Sequence, residues 1–362
     1  MEKPQLLFFR PLVFSALLIT LATPSQAAST LDSCLLEKIN NAVSTMTIGE
    51  IKEACLAQQG KLSTPVSAKN TSLDTTANSA TTTAAITDKN GEPVSAAKAR
   101  LLRERETKWS PYVLTAHKQN YILPYTHNSK LNPIYKLSGD ENLQEKEEAK
   151  FQLSVKIPLA DNDLFFQDDS LDFGFTLKSF WQVYNDEISA PFRETNYNPE
   201  IFYTVPTEFK PGGADTVVRV GVEHESNGRT QLLSRSWNRV YTQFFYAKDN
   251  YLFSFKPWYR LPEDDKKNEF DADGDDNPDI DDYMGYFELK GVASYEKLEF
   301  STLVRNNLRG DNKGAVELGL SFPLWGRVRG YTQYFNGYGE SLIDYNHRVE
   351  RIGIGFLITD AL

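Results

Sequence analysis

The sequence predicts an all-β protein, a twelve-stranded antiparallel transmembrane β-barrel with a small helical periplasmic extension at its N-terminus. Three observations support this fold. Apolar and polar residues alternate through much of the chain, and the connections between the alternating segments are short and long in turn. In addition, no stretch after residue 30 has the roughly 18 uninterrupted apolar residues that a membrane helix needs, although 12 % of the residues are aromatic. A barrel strand exposes only alternate residues to lipid, so a barrel explains all three observations.

The first 27 residues have the layout of a secretory signal. Lys3 and Arg10 precede an apolar run over residues 12–22, and small residues precede a cleavage position after Ala27. The run is too short to span a membrane. We therefore predict a signal peptide over residues 1–27 and export of the mature chain, with a buried N-terminal helix as the alternative.

Residues 28–60 are predicted to form a small helical module in the periplasm. Thr47 and Glu50 have the spacing of a capping box, in which both side chains satisfy free backbone N–H groups at a helix start. Cys34 and Cys55 are the only two cysteines, and an even pair in an oxidising compartment suggests a disulfide. Lipidation at Cys34, which ends a Leu-Asp-Ser-Cys sequence, is the competing interpretation.

Residues 61–108 are predicted to form a disordered linker. They are rich in Thr, Ser and Ala and have few large apolar side chains, too few to offset the entropy lost on ordering. A charged stretch at 98–108 is predicted to be helical.

Residues 109–362 have the barrel pattern. Apolar residues alternate with polar ones in 151–159, 316–322 and 352–358, and a polar inner face that bears Glu and Lys is typical of a barrel lumen. Aromatic residues near strand ends are predicted to lie at the membrane interfaces, namely Trp181, Trp258, Tyr259 and Trp325. An even number of strands places both termini in the periplasm. Short turns are predicted near 160–170, 209–214, 248–250, 295–297 and 324–327, and long outer loops near 126–148, 184–196, 227–234, 262–282, 307–313 and 336–347.

A histidine and a serine share one face of a predicted strand near its outer end. At a period of two, His224 and Ser226 continue the apolar, lipid-facing side of Val218, Val220 and Val222. Polar groups that face hydrocarbon are costly unless they pair. Such neighbours lie about 6.5–7 Å apart between Cα atoms, which lets an imidazole reach a serine hydroxyl, the basic unit of nucleophilic acyl transfer.

Asn238 on the following strand supplies a third member. If the hairpin is centred on Gln231, Asn238 lies directly opposite His224, and its oxygen is able to accept the imidazole N–H and fix the tautomer. Considered alone, His224 has the alternative interpretation of a structural histidine, and the Asn-Gly pair at 227–228 that of a simple turn. No Gly-x-Ser-x-Gly elbow surrounds Ser226, which argues against an α/β-hydrolase.

The active-site hairpin also carries a family resemblance. Glu-Ser-Asn-Gly-Arg at 225–229, with a His two residues before its Ser, is followed by Ser-Arg-Ser-Trp-Asn-Arg at 234–239. These motifs resemble the outer membrane phospholipase A family, also called the detergent-resistant phospholipase A family. The resemblance covers about residues 110–362, with further similar motifs at 189–197, 256–259, 276–280, 283–286 and 338–346.

The resemblance implies an enzyme in the outer membrane. By it, the chain is a calcium-dependent phospholipase that hydrolyses acyl esters of phospholipids and lysophospholipids at the A1 and A2 positions and is activated as a homodimer. Ser226 is then the nucleophile, His224 the base and Asn238 the residue that orients it. The backbone N–H of Gly228 is implied to stabilise the oxyanion.

The resemblance also implies a set of calcium ligands. In the dimer these are the Ser234 hydroxyl, the Arg229 carbonyl and the carbonyl of Ser189 of the partner subunit. Asp276 is retained from a calcium site of the family's monomeric state, but Gln231 stands where the family can have Asp.

Three further features are specific to this chain. Leu177 replaces a Gln that the family commonly has at the subunit interface, and the chain ends in Ala361-Leu362 rather than in an aromatic assembly signal. Carboxylates alternate around a Gly at 271–276, within an acidic loop over 271–282, as in calcium loops, but no Glu follows at position twelve. A solvated acidic loop is the alternative interpretation.

Two other classes of protein compete with this interpretation. A porin or adhesin explains the alternation but not the outward His, Ser and Asn. A secreted serine hydrolase with a β-sandwich conflicts with the charged inner face and the alternating connection lengths. The net charge of −10 argues against a nucleic-acid partner, because phosphate binding needs clustered Lys and Arg.

Overall fold

The computed structural model describes residues 100, 104, 114–137, 139, 144–161, 163–268, 271, 273–326 and 328–359. The predicted signal peptide, the helical module with its Cys34–Cys55 disulfide and nearly all of the linker lie outside the described residues. They therefore stay predictions.

The described chain is made of antiparallel strands with very few helical residues. Two short α-helices, α1 (Ile134–Leu137) and α2 (Ile280–Met284), and two 3-10 turns (Pro211–Gly213 and Gln231–Leu233) lie in the connections. No helix among the described residues is long and apolar enough to cross a membrane. The strands are β1 (Thr115–Ala116), β2 (Asn120–Asn128), β3 (Glu147–Asp161), β4 (Ser170–Trp181), β5 (Phe192–Thr207), β6 (Asp215–Ser226), β7 (Ser236–Lys248), β8 (Tyr251–Arg260), β9 (Phe287–Tyr295), β10 (Leu298–Asn306), β11 (Gly314–Trp325), β12 (Val328–Tyr338) and β13 (Arg348–Thr359).

The sheet closes on itself, because β13 pairs with β2 and β2 pairs with β3. The first barrel strand is interrupted. Both β1 and β2 pair with β3, with Ala116 opposite Val155 and Tyr121 opposite Gln152, so the register shifts by two residues between them. Counting β1 and β2 as one strand gives a closed twelve-stranded antiparallel barrel, which confirms the predicted fold.

The connections alternate in length, as predicted. The short turns at one end are residues 162–169, 208–214, 249–250, 296–297 and 326–327, and the long loops at the other end are residues 129–146, 182–191, 227–235, 261–286, 307–313 and 339–347. The first and last strands both have their chain ends at the short-turn end.

Alternate residues face outward and inward, which confirms the predicted pattern. On β3, Leu153 and Ile157 are exposed on the outer face, whereas Lys150 and Ser154 are buried inside. The hydrogen bonds of the closed sheet satisfy the backbone N–H and C=O groups, so the wall of the barrel exposes only side chains to lipid. The outer face thus forms a continuous apolar band.

Ion pairs fill the interior near the outer end. They join β3, β5 and β13 to the loop over residues 339–347, and each pair has an N···O distance between 2.7 and 3.2 Å. Buried charges need such compensation, because an unpaired one is strongly destabilising. The pairs are Lys150–Glu340, Arg351–Glu340, Arg351–Glu148, Arg193–Glu148 and Arg193–Asp344.

Aromatic residues and loop residues close the outer mouth of the barrel. Trp237 and Trp258 pack edge to face at 6.1 Å, in one buried cluster with Ile280 and Met284 of α2. The interfacial position predicted for Trp258 is therefore wrong. Nearness to a strand end does not decide the face, and alternation along β8 turns Trp258 inward while Tyr259 is exposed.

Candidate active site

The hairpin of β6 and β7 holds the predicted catalytic residues. Its register runs from Asp215 opposite Ala247 to Ser226 opposite Ser236, and it places His224 directly opposite Asn238. The hairpin is therefore centred on Gln231, which is the condition under which Asn238 is expected opposite His224.

His224 and Asn238 are hydrogen-bonded across the two strands. Nδ1 of His224 lies 2.9 Å from Oδ1 of Asn238, and both side chains are half-buried. Because an amide oxygen only accepts, Nδ1 carries the proton in this contact. In the neutral imidazole, Nε2 is then the nitrogen without a proton, as a general base requires.

Ser226 shares the outer face with His224. It lies between Tyr197 on β5 and Ser236 on β7. Within the described part of the chain, its hydroxyl makes no hydrogen bond to His224. Their spacing on the strand, roughly 6.5–7 Å between Cα atoms, lets side-chain rotation bring Oγ to Nε2, and such contacts are often long before substrate binds.

The outer face around Ser226 is apolar. Leu177 on β4, Tyr197 on β5 and Ser226 on β6 form one cross-strand row, and Val222 below them is 50 % exposed. Ser226 therefore lies at the outer end of the apolar band.

Asn198 supports the main chain of His224 from inside the barrel. The pairs Tyr197–Ser226 and Glu200–Glu223 place Pro199 opposite His224, and proline has no N–H to donate. The side chain of Asn198 donates to the His224 carbonyl instead, at 2.9 Å. Sequence reasoning missed this residue, although an Asn-Pro pair inside a strand is a usable signal.

Asn227 organises the loop that follows Ser226. It is buried, its Oδ1 accepts the backbone N–H of Arg229 at 3.2 Å and of Arg235 at 3.0 Å, and its Nδ2 donates to the Leu233 carbonyl at 2.8 Å. Gly228 has a φ of +63°, where side chains are strained. The sequence pattern indicated only a turn here, whereas the structure shows a braced loop.

Ser234 lies beside the acidic loop. Its hydroxyl donates to Oδ2 of Asp276 at 2.7 Å, and the other oxygen of Asp276 is paired with the Lys266 ammonium. The next residue, Asn277, accepts the backbone N–H of Ser236 at 3.0 Å. The structure thus brings Ser234 and Asp276 together at the end of β7.

The remaining predicted metal residues lie on two neighbouring loops. Arg229 donates from its guanidinium to the backbone carbonyl of Arg193 at 2.5 Å, which fastens the 227–235 loop to the start of β5. Ser189 is exposed on the β4–β5 loop with a φ of +61°.

The acidic loop is held by ion pairs and hydrogen bonds. Asp275 pairs with Arg260 at 2.6 Å and Asp279 accepts from the Tyr345 hydroxyl at 2.6 Å. Among the described residues, no group of three or more His, Cys, Asp or Glu side chains is arranged to hold a metal ion.

A family model described as phospholipase A1 matches residues 97–358. The chain belongs to the phospholipase A1 family. Its curated relatives include phospholipase A1 of Escherichia coli K12, which is 40 % identical over 265 residues, or 72 % of this chain and 86 % of the relative. A putative phospholipase A1 of Neisseria meningitidis is 38 % identical over 257 residues, or 67 % of this chain and 65 % of the relative.

Solved structures of the family have the same fold. Outer membrane phospholipase A of Escherichia coli matches with a TM-score of 0.63 at 40 % identity, over 70 % of this chain and 95 % of the other, and one such structure is described as an active-site variant. A Salmonella typhi outer membrane phospholipase, described as a dimer with bound calcium, matches with a TM-score of 0.62 at 39 % identity. The match covers 70 % of this chain and 94 % of the other. Family and barrel together identify this chain as an outer-membrane phospholipase.

Proposed function

We propose that this phospholipase hydrolyses acyl esters of phospholipids and lysophospholipids, at the A1 and A2 positions, with Ser226, His224 and Asn238 on its outer face. The observation that carries the proposal is the 2.9 Å hydrogen bond between His224 and Asn238, beside a serine on an otherwise apolar surface. The Escherichia coli variant described above replaces an active-site asparagine by alanine, which supports a role for Asn238.

Each side chain has a defined part in the reaction. Ser226 Oγ attacks the ester carbonyl while His224 Nε2 takes the hydroxyl proton, and Asn238 Oδ1 holds the protonated Nδ1. The imidazolium then gives its proton to the departing glycerol oxygen, which leaves an acyl-serine and a lysophospholipid. In the second half, His224 takes a proton from water, the water oxygen attacks the acyl carbonyl, and the fatty acid leaves as Ser226 regains its proton.

In this proposal, the backbone N–H of Gly228 stabilises the negative charge that develops on the carbonyl oxygen. Gly228 follows Ser226 by two residues, in a loop that Asn227 holds rigid. A fixed backbone N–H contributes more than a mobile one, because it needs no reorientation as the charge forms.

The oxygen donors of the site fit a calcium ion. Calcium takes hydroxyl, carbonyl and carboxylate oxygens, and the Ser234 hydroxyl directs its hydrogen at Asp276, so its lone pairs are left for a cation. Ser234 and Arg229 would hold the ion together with Ser189 of the partner subunit. A bound calcium would supply positive charge beside the oxyanion. Direct ligation by Asp276 would require displacement of the Lys266 ammonium.

A second subunit completes the site in this proposal. The catalytic residues open outward, and the row of Leu177, Tyr197 and Ser226 gives an acyl chain only one wall. A partner barrel would provide the opposite wall, and the Salmonella typhi relative is described as a dimer with calcium. Leu177 adds apolar surface to this contact but no hydrogen bond, and apolar surface gains little against lipid.

Replacement of the nucleophile tests the proposal. Ser226→Ala should lower kcat by about 10⁴-fold or more and abolish covalent labelling by a fluorophosphonate, while heat-modifiable gel mobility stays native. Thr302→Ala, which removes an outward hydroxyl from the distant strand β10, is the matched control. Unchanged turnover or labelling in Ser226→Ala would refute the triad.

A further inference from the structure

The second polar atom of the Asn238 amide also has a partner. Oδ1 faces His224, and Nδ2 donates to Oε1 of Glu263 at 3.2 Å. Glu263 lies in the β8–β9 loop, is half-buried and belongs to neither the predicted triad nor the predicted metal residues.

This contact decides which way the amide points. The oxygen and nitrogen of an asparagine side chain have nearly the same shape, so the amide can turn over unless its two ends have different partners. An ionised carboxylate only accepts, and therefore selects Nδ2. With Nδ2 on Glu263, Oδ1 faces His224 and keeps the proton of the imidazole on Nδ1.

The backbone around Glu263 is fixed relative to Asn238. Arg260 pairs with Arg239, and the next residue, Leu261, donates its N–H to the Asn238 carbonyl at 2.8 Å. Glu263 follows this hydrogen bond by two residues. The loop start thus continues the strand ladder past the end of β8.

The far side of the loop holds this segment in place. Asp275 donates its backbone N–H to the Asp264 carbonyl at 2.8 Å. Gly274, with a φ of +105°, lies so close that a Cβ there would be 2.9 Å from the Asp264 oxygen. The segment that contains Glu263 is therefore clamped between β7 and the acidic loop.

The hydrogen bond from Asn238 stabilises the ionised form of the Glu263 carboxyl. Burial and the nearby Asp275 raise the pKa of Glu263, while the hydrogen bond from Asn238 lowers it. The amide is the hydrogen-bond donor that this carboxyl has among the described residues. Each group thus holds the other in one orientation.

We propose that Glu263 is a positioning residue that acts through Asn238, so that the hydrogen-bonded chain runs His224, Asn238, Glu263. The inference rests on the proposed function, because it assumes that Asn238 orients the base. Glu263 touches neither the substrate nor the reacting atoms.

A double-mutant cycle on the detergent-solubilised enzyme tests the proposal. Glu263→Met keeps the length of the side chain but removes the acceptor, and kcat should fall about 5- to 20-fold with KM and the calcium midpoint unchanged. Glu263→Gln keeps an acceptor oxygen and should recover most of kcat. In an Asn238→Ala background, Glu263→Met should cost nothing further, because the residue through which it acts is gone.

The outcomes separate this inference from the proposed function. A kcat of Glu263→Met within twofold of wild type, or losses that multiply in the double variant, would overturn the positioning role. A shifted calcium midpoint that accounts for the loss would also overturn it, because Glu263 would then serve the metal. If Asn238→Ala itself retains full kcat, the triad fails first. The Nδ1 proton of His224, followed by NMR, should be sharp in wild type and broadened in Glu263→Met.

Discussion

Replacing Asn238 by alanine should lower kcat about 10- to 100-fold, far less than replacing His224. Asn238 makes one 2.9 Å hydrogen bond to a half-buried imidazole that becomes charged during the reaction. A hydrogen bond to a charged group contributes about 1.5–3 kcal/mol, and about 1.4 kcal/mol corresponds to a factor of ten. His224→Ala removes the base itself and should cost about 10⁴-fold or more.

The assay is hydrolysis of a short-chain thioester phospholipid by purified enzyme in detergent with calcium. kcat and KM are measured for wild type, Asn238→Ala and His224→Ala, and gel mobility checks that each barrel is folded. Asn336→Ala is the matched control, because Asn336 also makes side-chain hydrogen bonds but lies on β12, far along the barrel wall.

Equal losses in the two variants would refute this reasoning. An asparagine that only orients its neighbour leaves a working base behind, so its removal must cost less than removal of the imidazole. Wild-type kcat in Asn238→Ala would equally show that the imidazole needs no such partner.

Three further outcomes are expected. Asn198→Ala should lower the free energy of unfolding by about 1–3 kcal/mol, because the carbonyl of His224 loses its donor. Adding Pro199→Ala should restore much of the lost free energy of unfolding, because it returns a backbone N–H opposite His224. Urea titration in lipid measures this free energy, and a double variant no more stable than Asn198→Ala would contradict the explanation. If Asp276 ligates calcium, Lys266→Met should tighten calcium binding several-fold in calorimetry, because the Lys266 ammonium no longer occupies the carboxylate. Lys267→Met, a change at the exposed neighbouring residue, should leave the affinity unchanged. Equal effects of the two variants would argue against competition between Lys266 and calcium for Asp276. Activity should fall on dilution and on chelation of calcium in proportion to the amount of cross-linked dimer, because dimerisation and calcium binding are linked equilibria. Full activity in a chelated monomer would exclude this coupling.

The barrel and its catalytic hairpin could be predicted because both depend on local periodicity. Alternation at a period of two fixes which side chains face outward, and an antiparallel hairpin has a register set by its centre at Gln231. Once His224 and Ser226 are assigned to the outer face, Asn238 follows from the pairing alone.

The supporting residues could not be predicted in the same way. Glu263 reaches the site from a long loop, and no spacing in the chain shows that it approaches Asn238. Asn198 lies on the neighbouring strand, where the Asn-Pro pair marks it but does not identify the carbonyl to which it donates. Trp258 faces inward because of its place in the alternation along β8, and nearness to the strand end does not reveal this orientation. Alternation at a period of two thus predicts which face a side chain is on and how strands pair, whereas the contacts made by long loops are seen only in the three-dimensional structure.

The interior ion pairs bear on how the barrel assembles. Arg351 lies on the last strand, and its countercharges Glu148 and Glu340 lie on β3 and on the loop before β13. Before β13 docks, these two carboxylates lack one of the cations that neutralise them, and an open barrel exposes them beside an incomplete wall. Docking of β13 therefore closes the barrel and completes the interior ion pairs in the same step, which favours the closed barrel over a partly closed one.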